Sequence, residues 1–511
     1  MAQETELKLL IQARDVPRLL AHPLLAASPP QKQRLLNTYF DTPTLALMAQ
    51  RMAVRERRVG RRTLLTVKTA GRSEGGLSRR GEWEGPTLPG QMDFAALVDD
   101  PALATRLVGL KAQLVPVFRT DFVRRSWRVA QGSGQIEVAL DRGAITTRGA
   151  LPTPDSARSE PILELELELL SGPVGALFDL AQTLAQGPHS ALWLLPSDRS
   201  KAERGLALFQ GRTLAPLKAQ PIALRTGMHP VDAFRAVAHE GLTQLQTNLA
   251  GLLQPRASGA LPDPDFIHQT RVALRRLRTA LVLFREHLPP AFVDHWSARW
   301  KDTAAVLNGA RNWDVLDERL LRWLTDRAAR GQAPDELAPL ARWVLAQRLA
   351  ANRQAAWELG QPARALDLLA FAQALHALPA GTPSLGRQGL GGWAARTLRA
   401  RHRRLLKLAR QAQQLDLDGL HALRIRLKKL RYAEACLQTL LPAGAALRAP
   451  VLEQAQDLLG ELNDLVTAQR LMQTCAVPAT DAWGRHLRQR QARSLLALPP
   501  LQRALRDMPP P

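Results

Sequence analysis

The chain has 511 residues, 46% of them apolar, and a formal net charge of +23. It is too long for one ordinary core and too apolar to be disordered throughout. Two cysteines, Cys436 and Cys475, exclude a disulfide framework and a four-thiolate zinc site. The charge is uneven: 27 Lys+Arg stand against 22 Asp+Glu up to residue 210, and 42 against 24 beyond it. A strongly basic second half points to a polyanionic partner: nucleic acid, an acidic membrane face or a phosphate polymer. The opening MAQETELKLL carries acids at once, unlike the basic-then-apolar order of a signal peptide. No apolar run is long enough to span a membrane, so the cytoplasm is the expected location and no membrane partner is expected.

To about residue 205 the chain reads mostly as strands. TELKLLI, AVRERR, TLLTVKT, IEVALD and ILELELELL alternate polar and apolar residues, the two-residue period of a strand. GRSEGG and AQGSGQ read as turns, FDLAQTLAQ as a short helix and WLLP as a strand after it. The polar positions are too charged for a plain solvent face. Glu4, Glu6 and Lys8 share one side of the first strand, and Arg55 and Arg57 share another. Glu82 and Glu84 flank Trp83; Glu164, Glu166 and Glu168 back onto Leu163, Leu165, Leu167 and Leu169. Three glutamates on one face repel each other unless cations lie opposite. A closed antiparallel barrel with a polar lumen meets that need. Carboxylates there suit a hard divalent cation, and arginine forks suit phosphate.

These segments, taken in order, resemble a CYTH domain, the triphosphate tunnel metalloenzyme family, over residues 1–205. The resemblance is carried by ETELK at 4–8, NTYFDTP at 37–43, AVRER at 53–57, TVKT at 66–69, SRRGEWE at 78–84, TDFVRRSW at 120–127, IEVALDRG at 136–143, ELELEL at 164–169 and SKAERG at 200–205. It implies an eight-stranded antiparallel tunnel with flanking helices and a Mg²⁺ or Mn²⁺ cofactor. It implies metal-binding Glu4, Glu6, Glu166 and Glu168, with Glu82, Glu84, Glu164 and Asp141 as additions. It implies triphosphate-binding Lys8, Arg55, Arg57, Lys68, Arg80, Arg124 and Lys201. Strand alternation lets only one of Arg124 and Arg125 face the lumen. Lys8, Glu6 and Glu168 are the implied catalytic residues. The implied activity is hydrolysis of inorganic triphosphate to diphosphate and phosphate. A catalytically idle polyphosphate-binding scaffold, a thiamine triphosphatase and a class IV adenylate cyclase are the alternatives.

GRTLAPLKAQPIALRTG, residues 211–227, reads as a linker to a second, all-α domain over 228–506, which makes the whole a multidomain α+β protein. Apolar residues there recur three and four apart, as in Leu274, Leu277, Leu281 and Phe284. QPRASGALPDPD and LPAGTPSLGRQGLGG read as loops. His268-x-x-Arg271-x-x-x-Arg275-Arg276-x-Arg278 and His421-x-x-Arg424-x-x-x-Lys428-Lys429-x-Arg431 repeat one spacing, and Gly309-Ala-Arg-Asn312 echoes Gly460-Glu-Leu-Asn463. This is an internal repeat of about 150 residues, read as a duplicated helical bundle. Steps of three and four put His268, Arg271, Arg275 and Arg278 on one helix face, with the leucines nearly opposite. His421, Arg424, Lys428 and Arg431 do the same. Two such ridges facing one cleft would make a basic groove. Aromatics are only 5% of residues, and no closely spaced stacking platform is evident, which argues against nucleic acid.

Residues 225–505 resemble a CHAD domain on HQTRVALRRLR at 268–278, GARNWDVL at 309–316, RARHRRLLKLA at 399–409, HALRIRLKKLRYAEA at 421–435 and LGELNDL at 459–465. Asn312 stands where the family often has Asp. The resemblance implies binding of inorganic polyphosphate, with recruitment to polyphosphate granules, through Arg271, Arg275, Arg276, Arg278, Arg424, Lys428, Lys429 and Arg431. His268 and His421 are candidate ligands whose titration near neutrality would tune affinity, and His402 in RARHRR is a weaker one.

Overall fold

The computed structural model describes residues 2–69, 71–147, 157–187, 190–254, 262–332, 337–379, 389–441, 447–475, 477 and 481–510. Most of the loops QPRASGALPDPD and LPAGTPSLGRQGLGG lies outside these residues. The chain divides into two compact units. The first takes in residues 1–215 together with 360–377; the second takes in 216–359 and 378–511.

Alternating sequence becomes ten antiparallel strands in the first unit: β1 (Ala2–Ile11), β2 (Gln31–Asp41), β3 (Ala53–Val59), β4 (Arg62–Lys68), β5 (Arg72–Glu74), β6 (Leu77–Thr87), β7 (Val115–Gln131), β8 (Gly134–Thr146), β9 (Ser159–Ser171) and β10 (Leu194–Pro196). The order β1-β9-β8-β7-β2-β3-β4-β6 returns to β1 through a β1–β6 pairing, so eight strands close into a barrel. The short β10 and β5 add to its edges. GRSEGG, expected as a plain turn, contains β5, which pairs with β6 through Ser73 and Ser78. Short helices α1 (Val16–Leu20), α2 (Pro23–Ala26), α3 (Ala46–Ala49), α4 (Phe94–Leu97) and α5 (Pro101–Leu110) lie in the connections.

The barrel is apolar outside and charged inside. Leu7, Leu9, Leu165 and Leu167 are fully buried on the outer face. α6 (Gly175–Gln186) covers them with Leu177, Phe178, Leu180 and Leu184. Each such leucine contributes roughly 1.5–3 kcal/mol by leaving water. Buried ion pairs in the lumen add little net stability, because desolvation offsets their attraction. The outer layer therefore holds the fold, and the lumen is left to function. α7 (Lys201–Phe209) starts at a capping box in which Ser200 and Glu203 satisfy each other's backbone amides. α12 (Pro362–Ala377) completes the unit by packing on α6, where Gln373 donates to Asp179 Oδ1 at 2.7 Å.

Gly205 fixes how closely α7 approaches the barrel. A methyl group there would overlap the Phe118 ring, which is buried and stacked on Tyr39 with centroids 4.4 Å apart. Gly205→Ala should destabilise the first unit by about 1–3 kcal/mol through overpacking, read as a lower midpoint for its thermal unfolding.

The second unit is helical: α8 (Pro230–Leu253), α9 (Pro264–Leu283), α10 (Pro290–Ala328), α11 (Ala338–Leu359), α13 (Gly389–Ala409), α14 (Leu417–Leu437), α15 (Ala449–Met472), α16 (Asp481–Leu496) and α17 (Leu498–Arg506). α8, α9 and α10 pack in succession, as do α13, α14 and α15. α9 docks by Leu274, Leu277 and Leu281, and α14 by Leu423, Leu427 and Leu430, all essentially inaccessible to solvent. α9 and α14 are in contact, which brings the two repeated ridges together. Among the described residues, no helix is long and apolar enough to cross a membrane.

Candidate functional site

The barrel lumen encloses about 1130 Å³. Register decides which charges meet in it. Glu6 on β1 faces Glu168 on β9, and Glu168 faces Glu137 on β8, giving a row of three carboxylates across adjacent strands. Two residues along, Lys8 faces Glu166. Two more along, Glu164 faces Asp141, which faces Arg124. On the other wall β3 supplies Arg55 and Arg57, β4 supplies Lys68, and β6 supplies Arg80, Glu82 and Glu84. Arg124, not Arg125, lines the lumen.

The cations are held in defined poses. Arg55 donates to Tyr39 Oη at 3.3 Å and Thr66 Oγ1 at 3.2 Å; Arg57 donates to Asn37 Oδ1 at 3.0 Å. Arg57 also lies 3.4 Å from Glu84. Lys68 bridges Glu4 and Glu82 at 2.9 Å each, and Arg80 spans Glu4 at 2.8 Å and Glu6 at 2.6 Å. Arg124 grips Asp141 with two bonds of 2.8 Å and reaches Glu166 at 2.5 Å. Lys201, at the start of α7, touches Asp141, Glu164 and Glu166 at 2.6, 2.5 and 2.9 Å. Arg204, one turn on, reaches Glu164 at 2.8 Å and Glu160 at 2.7 Å.

These contacts sort the acids into two kinds. Ligand oxygens of Asp141, Glu164 and Glu166 lie within 4.8 Å of one another, a spacing that could hold a metal ion. Asp141 and Glu164 are, however, wholly buried and spent on Lys201, Arg204 and Arg124. Glu166 is matched the same way: burial alone would raise its pKa, but Lys201, Lys8 and Arg124 hold it well below the carboxylate range. Glu4 is likewise held low against burial by Lys68 and Arg80. Glu168 is the opposite case. Burial and the neighbouring Glu4, Glu137 and Glu82 push it up to about 7. Burial also raises Glu82, despite Lys68. Glu6 is paired with Arg80, but Glu168 and Glu137 beside it make no ion pair among the described residues, so negative charge outruns positive charge at that end of the row, as a donor set for a hard cation requires.

The sequence pattern did not single out Glu137, Tyr39, Asn37 or Arg204. Glu137 had a signal, since alternation in IEVALD puts it on the face of Asp141. The others emerge only from cross-strand pairing and from the docking of α7.

In the second unit a cavity of about 620 Å³ lies between the two repeats. His268, Arg271 and Arg275 line it from α9, Arg311 and Arg319 from α10, His421, Arg424, Lys428 and Tyr432 from α14, and Asn463 and Asp464 from α15. Arg271, Arg275, Arg424 and Lys428 make no ion pair among the described residues, and Arg424 Nε is buried without a hydrogen-bond partner. Burial and the adjacent Arg275 and Arg424 bring Lys428 down to about 6. Burial and Arg311 bring His268 to about 4, and burial with Arg275 lowers Arg271 to about 10. Asp457, Glu461 and Asp464 also line the cavity, but Glu461 and Asp464 are within ion-pair reach of Arg319, so the cations of α9 and α14 outnumber the acids left to them.

Four of the cations singled out in the sequence do not line this cavity. Arg276 is buried against Glu240 and Gln244 of α8, because a single helical step of about 100° turns it from the ridge into the helix interface. Arg278, Lys429 and Arg431 also lie off the lining. His402 is buried elsewhere, on α13. Arg311, Arg319 and Tyr432 are the additions.

The first unit is thus a closed antiparallel tunnel with a lumen of facing acids and bases, and the second is a helical unit with a cation-rich cavity. Residues 2–202 match the family model of the CYTH domain and residues 236–473 that of the CHAD domain, so the chain belongs to the proteins that carry a CYTH domain followed by a CHAD domain. Over 211 residues it is 34% identical to the inorganic triphosphatase of Haemophilus influenzae, covering 41% of this chain. The chain spans 55% of the length of that curated relative. Among solved structures, the CHAD domain from the plant Ricinus communis is 27% identical, with TM-score 0.46, over 58% of this chain and 99% of that one. HpAC1 from Hippeastrum is 19% identical, with TM-score 0.31, over 41% of this chain and 97% of that one.

Proposed function

We propose that the tunnel hydrolyses inorganic triphosphate to diphosphate and phosphate with a divalent cation, Mg²⁺ or Mn²⁺, and that the helical cavity binds inorganic polyphosphate. The observation that carries this reading is the division of the lumen into a carboxylate row, Glu6–Glu168–Glu137, of which Glu168 and Glu137 make no ion pair among the described residues, and the ring of oriented cations facing it. The name of the Haemophilus relative supports the same substrate. Glu6, Glu137 and Glu168, with Glu4 beside them, would hold the ion. When bound, the ion neutralises phosphate oxygens and acidifies water. Arg55, Arg57, Arg124 and Lys68 grip the phosphate chain, the arginines by paired N–H donors. Lys8, buried between Glu6 and Glu166, keeps its proton: burial alone would lower its pKa, but those carboxylates raise it. It therefore offers a fixed positive charge to the diphosphate that departs as the bridging P–O bond breaks. Burial and the neighbouring Glu4, Glu137 and Glu82 push Glu168 up to about 7, so uptake of the ion would displace a proton from this carboxylate.

The lining also bears on the alternatives. Tyr39 and Phe122 are the aromatic residues on the described lumen wall; Tyr39 is already stacked on Phe118, and Phe122 lies under Lys201 and Arg124. No pair stands free to sandwich a base or a thiazole. The test is a panel of inorganic triphosphate, long polyphosphate, ATP and thiamine triphosphate, each with Mg²⁺, Mn²⁺ or chelator. Triphosphate with metal should be hydrolysed fastest, and chelator should stop phosphate release. Stoichiometric binding without turnover would instead mark an idle scaffold. Preference for ATP or thiamine triphosphate would mark the other enzyme classes. Held by polyphosphate, the protein would gather at polyphosphate granules in the cytoplasm.

A further inference from the structure

We propose that Tyr432 is a positioning residue of the helical cavity, orienting Arg275 for the bound polyanion without neutralising it. The inference rests on the reading of that cavity as a polyphosphate site, and it adds a residue of the HALRIRLKKLRYAEA segment that is neither one of the cations nor one of the histidines singled out there. Arg275 on α9 donates to Tyr432 Oη on α14 at 2.7 Å, and its guanidinium carbon lies 5.3 Å from the centre of the same ring. One side chain thus restrains the arginine through a hydrogen bond and a cation–π contact, across the junction of the two repeats.

The choice of acceptor matters. A carboxylate would hold a guanidinium more firmly, but it would cancel the charge and compete with the ligand. The unit uses carboxylates where an arginine is structural: Arg276 pairs with Glu240, and Arg348 with Asp314 at 2.9 Å and Asp317 at 2.7 Å. On the cavity wall Arg319 of α10 also takes carboxylates, Glu461 at 2.5 Å and Asp464 at 3.7 Å, whereas the residues of the two repeated ridges use neutral oxygens. Arg271 donates to Asn308 Oδ1 at 2.5 Å, and His421 pairs with Asn463 Oδ1 at 2.8 Å. The chain contains two tyrosines. The other, Tyr39, accepts from Arg55 in the tunnel. Both phenols therefore serve an arginine that faces an anion site. A neutral acceptor keeps the full cationic charge for the ligand while removing rotamer freedom that binding would otherwise have to freeze.

Orientation and charge are separable by salt. The slope of affinity against salt reports how many cations the polyanion engages, whereas pre-orientation changes affinity at constant slope. The experiment measures binding of long-chain inorganic polyphosphate to the full chain across a salt series. The variants are Tyr432→Phe, Tyr432→Glu, Arg275→Gln and Arg271→Gln, each checked for an unchanged thermal unfolding midpoint. Tyr432→Phe should weaken binding roughly five- to twentyfold, as expected for a lost hydrogen bond to a charged group, and leave the slope unchanged. Arg275→Gln should weaken binding and lower the slope by about one. Tyr432→Glu should behave like Arg275→Gln, because it supplies an acceptor that neutralises Arg275. Parent-like binding by both arginine variants would overturn the polyphosphate reading itself. Weak binding by Arg275→Gln with parent-like binding by Tyr432→Phe would overturn only the positioning role, as would a Tyr432→Phe slope that falls with that of Arg275→Gln.

Discussion

Glu6→Gln should reduce metal-dependent release of phosphate from inorganic triphosphate by at least about 100-fold, the scale at which removing a charged group from a preorganised site is felt in the rate. Glu6 is 4% exposed, sits opposite Glu168 and accepts a 2.6 Å bond from Arg80. Glutamine keeps the shape and leaves an oxygen for Arg80. It removes one of the three negative charges in the row across β1, β9 and β8, and with it much of the attraction for a hard cation. The effect should therefore appear both as lost turnover and as a higher metal concentration for half-maximal activity. Thermal unfolding should change little, because the leucine layer outside the barrel is untouched. Full activity of this variant in the presence of chelator would refute the metal role.

Replacing Arg275 and Lys428 together by glutamine should weaken polyphosphate binding by about two orders of magnitude at low salt, each charge-assisted contact being worth about 1.5–3 kcal/mol before non-additivity. Retention on a polyphosphate column equal to that of the parent would contradict the ridge arrangement. Competition by single-stranded DNA of equal charge distinguishes phosphate polymers from nucleic acid. The pH dependence has a definite sign. Lys428 faces Arg271 and Arg275 from α9, Arg424 on its own helix and Asp464 from α15, and it titrates near 6. Its charge is thus mostly absent above pH 7 in the free protein and appears as pH falls through 6. Affinity for polyphosphate should rise from pH 7.5 to 5.5, with proton uptake on binding. Lys428→Arg should flatten that rise, since a guanidinium stays charged throughout. A parent profile already flat over this range would show that Lys428 does not titrate there.

Much of the tunnel was legible from alternation alone. Glu4, Glu6 and Lys8 had to share a side, as did Glu164, Glu166 and Glu168, and the leucines between them had to face an apolar layer. In the helical half, steps of three and four were enough to gather His268, Arg271 and Arg275 on one ridge and His421, Arg424 and Lys428 on another. Both signals are local, because a strand or helix repeats its direction every two or 3.6 residues whatever surrounds it.

What lies across from each side chain was not legible. Register put Glu137 beside Glu168, and it spent Asp141 and Glu164 on Lys201 and Arg204 rather than leaving them beside the carboxylate row. The docking of α9 on α8 set Arg276, implied by the resemblance as a polyphosphate ligand, against Glu240, and the meeting of α9 with α14 gave Arg275 its phenol. α12 joined the first unit although it lies far along the chain. By itself the sequence determined which charges share a face. Only the tertiary structure decided which face each other, because pairing between distant segments depends on packing energies that no local periodicity encodes.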